Sequence, residues 1–270
     1  MVQLVGRVGL GVAGLSMTPR DRATDLATIR AGIAAGTAIL DTARAYAQVD
    51  APLYGEELAA EAARGTGVIV GTKGGHSRTG AKTWDADISA DRIRADVETS
   101  LRVFGCERLD LYYLHRVDLA EQPVEEGVSA LAALRDEGKV DRIGLSNVTV
   151  AELDRATTIA RVDAVQNLHS VMGRESAEVL AWCEAAQVPF FAYSPLRSSS
   201  NAPGLAAMAA ARGVSLQRLQ LRALLASSPV LSVVSGATRP VTVLDSLAAE
   251  SEPWDDDLQA AYEEDLAIKA

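Results

Sequence analysis

Cysteine is scarce: Cys106 and Cys183 are the two in 270 residues. They match no CxxC or Cys/His spacing, which leaves no cysteine-based zinc site and no disulfide framework. Both lie in apolar, helix-adjacent sequence and read as reduced structural thiols, as expected of a cytoplasmic protein. Basic charge is also short, with 26 Lys and Arg against 36 Asp and Glu, a formal net charge of -10. Such a chain repels a phosphate backbone, which argues against nucleic acid as a partner. Any bound anion then needs a local basic or backbone-lined site. No apolar run approaches the roughly 20 residues of a membrane span. Met1–Val12 lacks the basic and apolar regions of an export signal. No large apolar patch is visible, so a monomer is the default.

What is present is ordinary globular material, 48% hydrophobic and 23% charged, arranged in a regular alternation. Short β-rich runs occur at Val8–Val12, Ala38–Thr42, Val68–Thr72, Leu109–Leu114, Arg142–Ser146, Ala164–Asn167, Phe190–Ser194 and Leu231–Ser235. They are apolar throughout, as in strands covered on both faces. Amphipathic stretches separate them: Ile93, Val97, Leu101 and Phe104 share one helical face, as do Val124, Val128, Leu131 and Leu134. Thr18-Pro19-Arg20-Asp21 offers a helix start, with Thr18 as N-cap and Pro19 at the first position. Thr149 and Glu152 have capping-box spacing. Gly36, Gly105, Gly138 and Gly213 follow helices, where a left-handed residue is needed.

Eight β-α units without a compositional break predict one α/β domain, a closed (β/α)8 TIM barrel of the usual length of about 250 residues. An open doubly wound sheet is the alternative, but no GxGxxG follows the first strand. After the last unit, Leu258, Tyr262 and Leu266 at helical spacing predict a tail helix over about 253–268, anchored by Trp254.

Nearly every proposed strand ends in polar residues: Asp41-Thr42, Thr72-Lys73, His115, Ser146-Asn147, Gln166-Asn167 and Tyr193-Ser194. In a barrel the strand ends share one mouth, which is where the chemistry sits. A ring of such groups is costly to bury unless they pair with each other or with a ligand. Asp41 and Lys73, on adjacent strands, suit an ion pair. Tyr46 lies just beyond and suits proton transfer, its pKa expected to fall beside the ammonium. His115 suits polarising a carbonyl oxygen.

These residues resemble the aldo-keto reductase superfamily. The resemblance is carried by Ile39–Ala43, Gly71–Gly75, Leu109–His115, Gly138–Val140 with Ile143–Asn147, Val165–Asn167, Ala192–Leu196 and Gly236–Pro240, in the family's order across nearly the whole chain. It implies a metal-free reduction of an aldehyde, ketone or keto-sugar, or the reverse, by hydride transfer with NADPH, NADH being the other option. It also implies a catalytic tetrad of Asp41, Tyr46, Lys73 and His115, with Tyr46 as general acid. Ser146, Asn147 and Gln166 would hold the nicotinamide amide, Tyr193 would stack on its ring, and Ser194 and Leu196 would adjoin it. Gly236, Thr238, Arg239 and Thr242 would meet the adenosine end, Arg239 being the candidate for a 2′-phosphate. Trp84, in the loop after the third strand, and Arg116, beside His115, are candidates for the substrate pocket, and His76 and His169 read as structural or solvent-facing. The sequence departs from the family at Ala47, where glycine is usual. The stretch Gln48–Tyr54 is rearranged, which keeps Tyr54-Gly55 open as the functional pair. The loop Ser194–Gly204 is shorter than in many members. A nucleotide-sensing subunit on the same fold is the alternative function, and a metal-dependent hydrolase using Asp41 and His115 a more distant one.

Overall fold

The structure, a computed structural model, describes residues 6–197 and 202–269. Eight parallel strands close into a barrel: β1 (Val8–Gly11), β2 (Leu40–Asp41), β3 (Val70–Gly74), β6 (Leu111–Leu114), β7 (Ile143–Ser146), β8 (Ala164–Leu168), β9 (Phe190–Tyr193) and β10 (Leu231–Gly236). The seam pairs β1 with β10, Val8 lying beside Val233. All eight expected strands are present, several of them trimmed at their ends. The assigned β2 is two residues long, yet Ala38, Leu40 and Thr42 all donate their amides to neighbouring strands, so the expected extent is bonded as a strand.

Strand side chains alternate inward and outward. The inward set starts with Ile39, Leu111, Tyr113, Ala164, Phe191 and Val234, which form a separate buried cluster inside the barrel. Two residues further along β2, β3, β6, β8 and β9, the same inward face carries Asp41, Lys73, His115, Gln166 and Tyr193. The polar mouth therefore stands directly on an apolar plug. Large and small residues alternate around that plug. Gly144 has no room for a side chain, since a Cβ there would lie 2.3 Å from the Tyr113 ring.

The outward faces pack under helices α2 (Arg22–Ala34), α3 (Tyr54–Ala63), α4 (Ala90–Phe104), α5 (Val124–Asp136), α6 (Val150–Ile159) and α7 (Ala177–Ala186). Two helices, α8 (Pro203–Arg212) and α9 (Leu216–Ser227), follow β9, and α10 (Pro240–Leu247) follows β10. Ile93, Val97, Val124, Val128, Leu131 and Leu134 are buried as their spacing predicts, with Leu101 and Phe104 partly buried on the same core. The capping box at Thr149 and Glu152 is formed. Gly36, Gly105, Gly138 and Gly213 all have positive φ.

Three expectations need correction. The first major helix starts at Arg22, not after Thr18, because the Asp21 carboxylate accepts from the Thr24 amide at 2.9 Å and caps it. Cys183 is buried, but Cys106 is exposed at the end of α4. The segment after β3, read as a loop, contains a short helix-free hairpin of β4 (His76–Arg78) and β5 (Trp84–Ala86). Its strands are three residues each and lack the apolar alternation that reveals a strand in sequence. A four-residue helix, α1 (Ala13–Ser16), also follows β1.

The terminal helix α11 spans Asp256–Lys269. Leu258 and Tyr262 are buried, and Trp254 meets Tyr262 edge-on at 6.2 Å. Asp265 accepts from the amides of Gly204 and Leu205, at 2.8 and 2.9 Å, and so caps α8, whose own N-cap residue Ala202 has no side chain to do it. Among the described residues no helix is long and apolar enough to cross a membrane.

Gly144→Ala tests the interior packing. The added methyl overpacks the Tyr113 ring and should lower stability by about 1–3 kcal/mol. The midpoint of urea unfolding measures this, and an unchanged midpoint would show that the plug can relax.

Candidate active site

The site is built on one ion pair. Lys73 Nζ lies 2.8 and 2.7 Å from the two Asp41 carboxylate oxygens and 2.8 Å from the Thr42 carbonyl. Those three acceptors match the three ammonium protons. Gln166 Nε2 donates to Asp41 Oδ1 at 2.8 Å, so Asp41 is held from a strand on the far side of the barrel. Lys73 is fully buried, which such pairing makes tolerable.

Tyr46 sits on the turn after β2. Its amide donates to the Ala43 carbonyl, and the Arg44 amide donates to the Lys73 carbonyl, which ties the turn to β3. The Tyr46 hydroxyl lies 3.4 Å from Lys73 Nζ. Its ring meets the His115 ring edge-on, with centroids 5.5 Å apart. Asp41, Tyr46, Lys73 and His115 thus converge at one mouth. Tyr54 does not share it, since its ring faces the Arg22 guanidinium at 5.3 Å. Gly55 has a different task. A Cβ there would come within 2.3 Å of the Tyr46 carbonyl, so glycine lets α3 press on the turn.

The turn is braced from behind. Glu56, fully buried, accepts from Thr72 Oγ1 and Ser100 Oγ, both at 2.7 Å, and faces Arg44 at 3.4 Å. Arg44 in turn faces Asp96, which accepts from the Gly75 amide. Sequence reasoning did not find this network, since its members are scattered between residues 44 and 100.

The electrostatics correct one expectation. Burial first, and the Asp41 charge second, raise the Tyr46 phenol well above its ordinary pKa. The ammonium does not outweigh these effects, because Lys73 is engaged at closer range by Asp41. Burial, with the Lys73 charge next, pushes His115 well below the usual histidine value. The mouth therefore presents a protonated phenol and a neutral imidazole.

Tyr46 stands between two clefts. One, of about 570 Å³, is lined by Met17, Tyr46, His76, Trp84, His115 and Arg116, among others. Trp84 and Arg116, the candidates for a substrate pocket, both line this cleft. His76, read as structural or solvent-facing, is also a wall residue, brought there by the hairpin that the sequence did not reveal. The other cleft, of about 420 Å³, is lined by Gly11, Gly14, Tyr46, Tyr193, Leu196 and Gly236, with Ser194 beside them. Arg197 also lines it and was not foreseen. Residues 198–201 of the loop expected to be short lie outside the described residues.

Around the second cleft, Asn147 donates to the His115 carbonyl and to Ser146 Oγ, and accepts from the Tyr193 hydroxyl at 2.6 Å. Asn147 and Ser194 both hold positive φ, 58° and 51°, a strained state for non-glycine residues that tends to collect at functional sites. Thr238, Arg239 and Thr242 lie beyond the cleft at the start of α10, where Arg239 is the N-cap position but gives no side-chain cap. Arg239 is exposed and makes no ion pair with a described residue. Among the described residues no group of three or more His, Cys, Asp or Glu is placed to hold a metal ion.

The chain belongs to the aldo/keto reductase family, whose model matches residues 7–264. It is accordingly an oxidoreductase of that family. It is 31% identical over 245 residues to an uncharacterized oxidoreductase of Schizosaccharomyces pombe, covering 87% of this chain and 78% of that one. It is 29% identical over 265 residues to the pyridoxine 4-dehydrogenase of Escherichia coli, covering 91% and 90%. A solved aldo/keto reductase of Klebsiella pneumoniae, in complex with NADP and acetate, superimposes with a TM-score of 0.81 at 25% identity, over 96% of this chain and 90% of that one.

All three histidines, His76, His115 and His169, are lowered by burial, His169 from 6.5 to about 4. Below the ordinary value of 6.5 the unfolded chain binds protons that the folded chain refuses, so stability falls as pH drops from 6.5 toward 4. Thermal unfolding across a pH series checks this. A midpoint that rises on acidification through that window would contradict the buried, neutral state of these rings.

Proposed function

We propose that the chain is an NADPH-dependent carbonyl reductase, transferring hydride to an aldehyde, ketone or keto-sugar with Tyr46 as general acid. The observation that carries this reading is the position of the Tyr46 hydroxyl, on the boundary of two clefts and within 3.4 Å of a buried ammonium. A proton donor there reaches a substrate in one cleft while a redox partner lies in the other.

The second cleft fits a nicotinamide nucleotide. Its lining includes Gly11, Gly14 and Gly236; a Cβ at Gly236 would meet nothing within 4 Å, and one at Gly14 would meet Thr238 Cγ2 at 3.7 Å. That leaves open backbone for a close-lying ligand. The start of α10 has no side-chain cap and leaves the Val241 amide open to a phosphate, Pro240 having no N–H and Thr242 bonding the Arg239 carbonyl, and Arg197 and Arg239 supply positive charge on an otherwise acidic chain. Ser146, Asn147 and Gln166 would hold the nicotinamide amide, and Tyr193 would stack on its ring. Ser194 and Leu196 would flank it, and Gly236, Thr238, Arg239 and Thr242 would take the adenosine end. The NADP and NADPH complexes of the Klebsiella relatives support this choice.

When bound, the cofactor supplies the hydride. Everything else belongs to the chain. His115, neutral, offers a hydrogen bond to the carbonyl oxygen, and Tyr46 gives that oxygen its proton. Lys73 holds a positive charge beside the phenol, so the phenolate left behind is stabilised. Asp41 keeps that ammonium charged despite burial. In the reverse direction the same phenolate takes the alcohol proton. One chain contains every group named, so the single barrel would act as a monomer.

Tyr46→Phe should lower turnover of activated aldehydes at least about 10²-fold, the low end for a lost general acid, with NADPH affinity retained. Fluorescence titration and NADPH oxidation read the two quantities; near wild-type turnover would show that the acid is another group. Tight NADPH binding by the wild type with no turnover across an aldehyde panel would favour a nucleotide sensor instead. Arg239→Ala should weaken NADPH binding about tenfold and leave NADH unchanged, as expected of one lost charge-assisted bond. Equal loss for both nucleotides would place the 2′-phosphate contact elsewhere.

A further inference from the structure

The charged side chains that line the substrate cleft are already engaged. Arg116 is held bidentately by Asp118, at 2.8 and 2.7 Å. Asp85 accepts from the Ser77 amide and pairs with Arg92 at 3.3 Å. Behind Trp84, Arg78 faces the indole ring at 5.5 Å and donates to the carbonyls of Met17, Ala47, Gly80 and Ala81. A substrate carboxylate would have to break one of these sets to find a cation.

His76 is different. Its Nδ1 lies 2.6 Å from the Asp85 carbonyl oxygen. A carbonyl can only accept, so Nδ1 carries the proton. The β4–β5 pairing, with His76 opposite Ala86, fixes that contact. Burial holds the ring neutral, so Nε2 is left as a bare acceptor. Nε2 has no partner among the described residues, yet it is not one of the sealed, unpartnered polar atoms, so it opens on the cleft that His76 lines. The His115 ring meets both the His76 ring and the Tyr46 ring. Its centroid is 5.2 Å from that of His76 and 5.5 Å from that of Tyr46, both edge-on. A small molecule bonded at its carbonyl by Tyr46 and His115 therefore shares its cleft with an unmet acceptor.

We propose that His76 Nε2 accepts a hydrogen bond from a hydroxyl of the substrate, so that the cleft selects uncharged hydroxyaldehydes or hydroxyketones over their deoxy analogues and over keto acids. This rests on the reading of Tyr46 as the acid at the carbonyl. An acceptor that finds a donor only in the hydroxylated member discriminates by about tenfold, the worth of one neutral hydrogen bond.

Two measurements test it. The first is the ratio of kcat/KM for lactaldehyde over propionaldehyde, which cancels most effects on folding and on cofactor binding. The ratio should fall about tenfold in His76→Phe and recover in His76→Gln, whose Oε1 can again accept. Pyruvate should be a poor substrate of the wild type. An equal ratio in wild type and His76→Phe overturns the proposal, as does efficient pyruvate reduction. The second is the 15N spectrum of the imidazoles in the protein without cofactor. His76 should show a protonated Nδ1 and a bare Nε2 whose resonance moves on adding 1,2-propanediol. A protonated Nε2 overturns the proposal whatever the kinetics. Turnover of neither aldehyde would instead remove the reductase reading, while the spectrum still decides what His76 presents.

Discussion

Everything at the barrel mouth depends on one buried ammonium. Lys73 has no exposed surface, and a lone charge in such a place would lose its proton. Both Asp41 oxygens and the Thr42 carbonyl keep it charged. The pair then constrains its neighbours. Asp41 also accepts from Gln166 across the barrel, and the Tyr46 hydroxyl stands 3.4 Å from the ammonium. Removing either partner would strand the other charge, which typically costs about 3–5 kcal/mol. Structure and chemistry thus rest on the same contact.

That arrangement divides labour by charge. The ammonium is satisfied before it reaches the phenol, so the phenol keeps its proton in the resting site. The imidazole beside it is neutral for a related reason, since burial and a nearby cation both disfavour a second positive charge. A site with one compensated cation and two neutral donors can bind an uncharged carbonyl without first expelling a counter-ion. On the proposed reading, the phenol would become a good proton donor only as negative charge grows on the substrate oxygen, which is when stabilisation accelerates reaction.

Much of this was legible in the sequence, and the reason is periodicity. The strands are short, apolar and end in polar residues, and alternation puts Asp41 above Ile39, Lys73 above Gly71 and His115 above Tyr113 on one inward face. What was illegible depends on tertiary contact. The β4–β5 hairpin has no apolar pattern, so the approach of His76 to the mouth cannot be read from spacing. The cap at Asp21 and the one that Asp265 gives α8 are both carboxylate–amide contacts, but the first is local and the second is not. The bracing of the Tyr46 turn by Glu56, Arg44 and Asp96 joins three separate segments. The sign of the phenol's shift needed distances and burial, because an adjacent cation and its counter-ion pull in opposite directions.

The contact between Asp265 and α8 has a temporal side. The amide of Gly204 is bonded to a carboxylate 61 positions downstream. As the chain leaves the ribosome, the strand carrying Tyr193 and the beginning of α8 emerge well before that carboxylate. The first turn of α8 lacks that cap until α11 docks, so this part of the barrel's exterior is completed later than the strand it follows.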